Sequence, residues 1–183
     1  MIPIEKISGR LGNMMFNYAF LINYARTHGI SDSYFPQHLE WFSESADYIR
    51  ALFSQDIGKV DMVGIHVRRS DYLDPNRIQY ALPNDYYVKA MALFPSHTKF
   101  IVCSDDVEWC KGQRIFEGCE FSNGTEIEDM NLLASCSQGL IIANSSFSWW
   151  GGFLNPHDCL IVAPEKWDKE GKIYSFPDNW KII

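Results

Sequence analysis

Four short apolar runs, three of them closed by a polar cluster and all separated by segments long enough for a helix, constrain this chain more than any other feature. The strongest run is Val60-Asp61-Met62-Val63-Gly64-Ile65-His66-Val67, which ends in Arg68-Arg69-Ser70-Asp71. Lys99-Phe100-Ile101-Val102-Cys103 ends in Ser104-Asp105-Asp106, and Leu140-Ile141-Ile142-Ala143 ends in Asn144-Ser145-Ser146-Phe147-Ser148. A fourth run, 159–163, stops at Pro164. Helices are predicted over 84–94 and over 126–138, the second behind Thr125 as N-cap with acidic residues in its first turn. Short apolar strands alternating with helices imply an α/β chain with a mostly parallel, doubly wound sheet.

Upstream, 2–7 reads as a strand, followed by the turn Ser8-Gly9-Arg10-Leu11-Gly12-Asn13. A helix then places Met15, Ala19, Ile22 and Ala25 on one face, and His28-Gly29 stops it. A glycine turn that delivers backbone N–H groups at a helix start is a seat for an anion. Residues 45–53 read as a further helix. Gly58-Lys59 marks the clearest boundary, so the chain divides into 1–58 and 59–183.

Composition narrows the function. Apolar residues make up 46% of the 183, the proportion of a folded globule. The formal charge of -7 argues against electrostatic binding to a nucleic-acid backbone. Five cysteines without a CxxC pair give neither a disulfide framework nor a structural zinc site. No apolar run reaches the roughly 20 residues that span a bilayer, and the first residues lack the pattern of a signal peptide. The expected location is cytoplasmic.

In an open parallel sheet ligands bind beyond the carboxyl ends of the strands, so the three polar clusters should share one crevice. Strand alternation sends His66 and Arg68 to one side and Arg69 to the other. One guanidinium can then fork onto phosphate oxygens while the other pairs with Asp71 or another carboxylate. Asp105 and Asp106 can hold a metal, accept hydrogen bonds from a ribose or base, or cap the next helix. Asn144, Ser145, Ser146 and Ser148 offer small donors at a strand-to-helix junction, a second way to hold phosphate. Trp149 and Trp150 read as packing residues in preference to a stacking platform. Residue chemistry alone reaches an α/β protein that binds a phosphorylated, nucleotide-linked ligand.

Four motifs go further. Gly9-Arg10-Leu11-Gly12-Asn13-Met14-Met15-Phe16-Asn17, Gly64-Ile65-His66-Val67-Arg68-Arg69-Ser70-Asp71-Tyr72, Ser104-Asp105-Asp106 with Trp109-Cys110-Lys111, and Asn144-Ser145-Ser146-Phe147-Ser148-Trp149-Trp150-Gly151 stand in this order. Together they resemble the signature of the α-1,2-fucosyltransferase family. Met14 stands where that family usually has glutamine and Ser70 where it usually has glycine.

The resemblance implies a glycosyltransferase B architecture of Rossmann-like parallel sheets. Residues 59–183 would bind GDP-fucose and 1–58 would be a shortened acceptor-side domain, the shortfall falling mainly between Ile30 and Ser31. It implies inverting transfer of L-fucose from GDP-fucose to the 2-hydroxyl of a galactose-terminated glycan, as in O-antigen or polysaccharide synthesis. No metal or other cofactor is required, and the expected place of work extends to the inner face of the membrane. By the same resemblance Arg68 contacts the β-phosphate, His66 and Asp105 or Asp106 lie near the guanosine, and Ser145, Ser146 and Ser148 lie near the phosphates. Gly12 and Asn13 face the cleft from the other domain. Asp71 is the nominee for the base, with a competing role as ion-pair partner of Arg69. The alternatives are a fucosyltransferase of different linkage and a non-catalytic relative that binds a sugar nucleotide or a glycan.

Overall fold

The computed structural model describes residues 11, 12, 14–16, 18, 19, 45–53, 57–171 and 176–183. The expected strand at 2–7, Asn13 and the end of the first helix lie outside these residues. Leu11, Gly12, Met14–Phe16, Tyr18 and Ala19 are helical, and α1 spans Ala46–Phe53. Six strands follow: β1 (Val63–Val67), β2 (Phe100–Ser104), β3 (Glu120–Phe121), β4 (Gly139–Ile141), β5 (Ile161–Ala163) and β6 (Lys181–Ile182). Between them run α2 (Asn84–Met91), α3 (Val107–Lys111), α4 (Glu126–Ser135) and α5 (Ser146–Leu154).

All five strand pairings are parallel, in the order β3-β2-β1-β4-β5-β6. This is the doubly wound Rossmann order, in which the sheet grows outward in both directions from β1 and β4. Its switch point is therefore the junction where Ile65 pairs with Ile141.

The sequence dictates the two faces by simple alternation. Leu140, Ile142, Ile161 and Ala163 enter one apolar cluster with Met130, Leu133, Trp149 and Trp150 of α4 and α5. Val63, Ile65, Val67, Ile141 and Val162 enter a second with Tyr86, Tyr87 and Ala90 of α2 and Cys110 of α3. Buried on both faces, these strands carry continuous apolar runs, as parallel strands do. Gly64 is the exception that makes room for side chains of β4 and α4, since a Cβ there would lie 2.7 Å from Leu140 Cδ1 and 3.1 Å from Leu133 Cδ2.

Met15, Phe16 and Ala19, with Ile49 of α1, pack into the α4–α5 cluster. Phe16 sits 4.6 Å from the Trp149 ring and 5.0 Å from Trp150. The described part of the first 58 residues thus shares its core with the sheet. Both tryptophans are packing residues, 2% and 0% exposed.

Local chemistry sets the helix starts. Thr125 forms a full capping box with Glu128, its hydroxyl accepting from the Glu128 N–H and its N–H donating to the carboxylate. Ser145 caps α5 by accepting from Phe147 N–H at 3.3 Å, and Asp106 caps α3 by accepting from Trp109 N–H. Two elements carry no sequence signal: β3 and β6 are two residues long and sit at the sheet edges. All five cysteines are free, and Cys103, Cys110 and Cys136 are buried. Burial pushes the Cys136 thiol up to about 12 and Cys119 to about 11, leaving both as inert thiols at neutral pH. No helix among the described residues is long and apolar enough to cross a membrane.

Candidate functional site

A cleft of about 700 Å³ opens at the carboxyl ends of β1, β2 and β4, where the switch point predicts a ligand. Of the residues singled out by sequence, Gly12, His66, Arg68, Asp71, Asp105, Ser145 and Ser146 line it.

Arg68 leaves the end of β1 and is the centre of the charge network. Its Nη1 lies 2.9 Å from Asp105 Oδ2 and its Nη2 bonds Asp71 Oδ1. The side chain is 12% exposed, so the guanidinium is fixed by carboxylates and presents its remaining donors to the cleft. Arg69 turns the other way, as alternation requires. It pairs with Asp106 at 3.2 Å and sits over Trp109, its guanidinium carbon 3.5 Å from the ring centre.

This geometry corrects several expectations. Asp106 caps α3 and holds Arg69, and neither residue lines the cleft. Asp71 does not pair with Arg69. Its Oδ1 takes Arg68 and its Oδ2 takes Arg77 at 3.2 Å, so both oxygens already accept from guanidiniums. A carboxylate committed twice in this way is poorly arranged to take a proton from an acceptor hydroxyl. Ser148 is fully buried, its hydroxyl held by Ala143 at the end of β4, and it does not reach the cleft. Asn144 is also buried, donating from Nδ2 to the carbonyls of Tyr80 and Trp167, each at 2.9 Å. It ties two loops together and faces the interior. A serine or asparagine at a strand end reads equally well as ligand or as cap, and only the helix that begins at Ser146 decides which.

His66 is the uncharged element of the site. It is 4% exposed, packs against Phe147 with ring centres 5.0 Å apart, and its Nδ1 has no hydrogen-bond partner among the described residues. Burial pulls its pKa down to about 4 against the opposing pull of Asp105, so the ring is neutral at pH 7. The neutral ring brings one donor and one acceptor beside the cleft.

A stability consequence follows from the same shift. Because the folded-state pKa lies below the unfolded value near 6.5, the unfolded chain binds the proton first, and stability falls as pH drops from about 6.5 towards 4. The penalty is on the order of 2–3 kcal/mol between pH 7 and pH 4.5. Urea titrations at the two pH values should show His66→Gln losing about that much less than the parent. Equal losses would contradict the burial of a neutral ring.

Opposite Arg68 stands the N-terminus of α5, with Ser145, Ser146 and Phe147 on the cleft wall. Gly12 packs directly onto it: a Cβ would lie 2.5 Å from Phe147 N and 2.6 Å from Ser146 C. The glycine is there because no side chain fits. Sequence reasoning missed Arg77, Gln79, Trp167, Gly124, Glu126 and Asp129, which also line the cleft. The first three sit on irregular loops with no motif. The others follow β3, whose two residues gave no strand to place them by. Asp129 is half-buried, accepts from Ser122 Oγ and has its pKa raised, chiefly by burial.

A guanidinium held by two carboxylates and a helix N-terminus thus share one switch-point cleft, an arrangement able to accept an anionic ligand. The particular family follows from comparison: the family model described as Glycosyl transferase family 11 matches residues 32–183, and the chain belongs to that family. Similar proteins include an alpha-1,2-colitosyltransferase of Escherichia coli, 31% identical over 176 residues that cover 81% of this chain and 61% of the relative. The O-antigen biosynthesis glycosyltransferase WbnK of Escherichia coli is 37% identical over 115 residues, 56% of this chain and 38% of its own. Galactoside alpha-(1,2)-fucosyltransferase 1 of Rattus norvegicus is 33% identical over 114 residues, 55% of this chain and 30% of its own. The chain thus spans between 30% and 61% of the length of these relatives. No solved structure gives a significant match.

Proposed function

We propose that the protein transfers L-fucose from GDP-fucose to the 2-hydroxyl of a galactose-terminated glycan, with inversion and without a metal. The observation that carries this reading is Arg68, fixed between Asp71 and Asp105 and facing the N-terminus of α5 across one cleft. In an inverting displacement the acceptor oxygen bonds to the anomeric carbon as the bond from that carbon to the β-phosphate oxygen breaks. The electron pair leaves with GDP, and the hydroxyl proton passes to a base. Negative charge therefore grows on the β-phosphate in the transition state. A pre-fixed guanidinium and a helix N-terminus stabilise that charge more than they stabilise the bound donor. The anomeric carbon gains oxocarbenium character at the same time, by analogy with glycoside hydrolysis. Family membership and the relatives named above support a glycosyl donor and a glycan acceptor in the same role.

A second reading keeps the 1,2-linkage and changes the sugar to colitose, favoured by the activity for which the relative matched over 81% of the chain is named. Mass spectrometry of reactions containing galactose-terminated oligosaccharides and each GDP-sugar separates the two. Addition of one fucosyl unit, resistant to EDTA and 1,2-linked, is the expected result. Turnover with the colitose donor alone would select the second reading, and hydrolysis or transfer with neither would contradict both.

A further inference from the structure

Arg77 stands on the loop between the turn at Ser70–Leu73 and α2, and no motif flags it. Its Nη2 meets Asp71 Oδ2 at 3.2 Å, the oxygen that Arg68 does not use, so one carboxylate bridges two guanidiniums. The two differ in what remains to them. Arg68 spends both terminal nitrogens on carboxylates and is 12% exposed, whereas Arg77 makes a single ion pair among the described residues and is 48% exposed on the cleft wall. The backbone beneath it is held from outside the loop. Lys169 Nζ donates to the carbonyls of Pro75 and Arg77, and Lys169 N–H donates to that of Ile78. Asn144 fixes the same loop at Tyr80.

We propose that Arg77 is a second β-phosphate-binding group, and that Asp71 is a positioning residue that sets Arg68 and Arg77 at the spacing of one phosphate. This rests on the donor reading above. Two forks gripping the two oxygens of one carboxylate stand close enough to converge on the oxygens of one terminal phosphate. Arg77, with the more exposed head and the anchored base, can present its other nitrogens to the ligand while Nη2 stays on Asp71. The neutralised carboxylate between them spares an incoming diphosphate the repulsion of an unpaired Asp71.

Titration calorimetry with GDP and with GMP tests this on the parent, Arg77→Ala and Arg77→Lys. Loss of Arg77 should weaken GDP by about 10–100-fold and GMP by less than about 3-fold, with lysine recovering part of the loss. Unchanged GDP affinity in Arg77→Ala, or a loss as large for GMP as for GDP, would overturn the assignment. A parent that binds GDP while the alanine variant is unaffected removes this inference alone. A parent that binds no GDP removes the donor reading and this inference with it. Urea midpoints for the variants separate lost binding from lost folding, and the lysine variant decides the case if alanine unfolds the chain.

Discussion

Arg68→Ala should lower kcat/KM for glycosyl transfer by about two to three orders of magnitude, equivalent to about 3–4 kcal/mol, and most of the loss should fall on kcat. The size follows from where Arg68 stands. Its guanidinium is immobilised by Asp71 and by Asp105 at 2.9 Å, so in the proposed reaction it would meet growing charge on the leaving phosphate without reorganising. Its removal also exposes acidic groups to an anionic ligand. Asp105 would keep the backbone N–H of Arg69 at 2.9 Å, and Asp71 would keep Arg77, but each would lose the guanidinium of Arg68. The cleft would then shift by a full charge in the wrong direction. Arg68→Lys should recover little, because a single ammonium cannot bond both carboxylates and still present a fork to the phosphate. Steady-state kinetics on the three proteins measures this, and transfer within a few-fold of the parent in the alanine variant would remove Arg68 from the reaction.

The second large effect belongs to a residue with no side chain. Gly12→Ala should destabilise the fold by about 2–3 kcal/mol and weaken GDP binding together. The added Cβ meets backbone at 2.5 and 2.6 Å, the nitrogen of Phe147 and the carbonyl carbon of Ser146, which cannot rotate out of its way. Relief requires either that the helical residues around Gly12 withdraw, pulling Phe16 from Trp149 and Trp150, or that the first turn of α5 moves. The first costs core packing and the second displaces Ser145, Ser146 and Phe147 on the cleft wall. Gly58→Ala is the control, since a Cβ there meets nothing within 4 Å. Urea denaturation together with GDP titration reads both consequences. A Gly12→Ala protein as stable as the parent would show that the contact between this helix and α5 is looser than described.

Much of this site was legible in the sequence because strands and their exits carry strong local signals. Two-residue alternation placed His66 and Arg68 on the cleft side, and it sent Arg69 to Trp109 and Asp106. Thr125 and the acidic residues after it announced α4, and the capping box is formed in full. What failed to read was whatever depends on contacts distant along the chain. Arg77 reaches the cleft because Lys169 and Asn144, some 90 and 70 residues further on, hold its loop. Ser148 and Asn144 look like ligands at a strand end, yet the start of α5 turns both inward to satisfy buried backbone groups. Asp71 looked like a base because a carboxylate beside arginines is ambiguous until the second arginine, Arg77, is found on its other oxygen.

Hydrogen exchange measured with and without GDP tests the central claim most directly, because it reports where on the chain the ligand sits. Slowed exchange is expected at the amides of 68–74 and 145–148, the turn after β1 and the start of α5 that flank the switch point. Protection confined to other segments, or none at saturating GDP, would contradict the assignment of this cleft as the donor site.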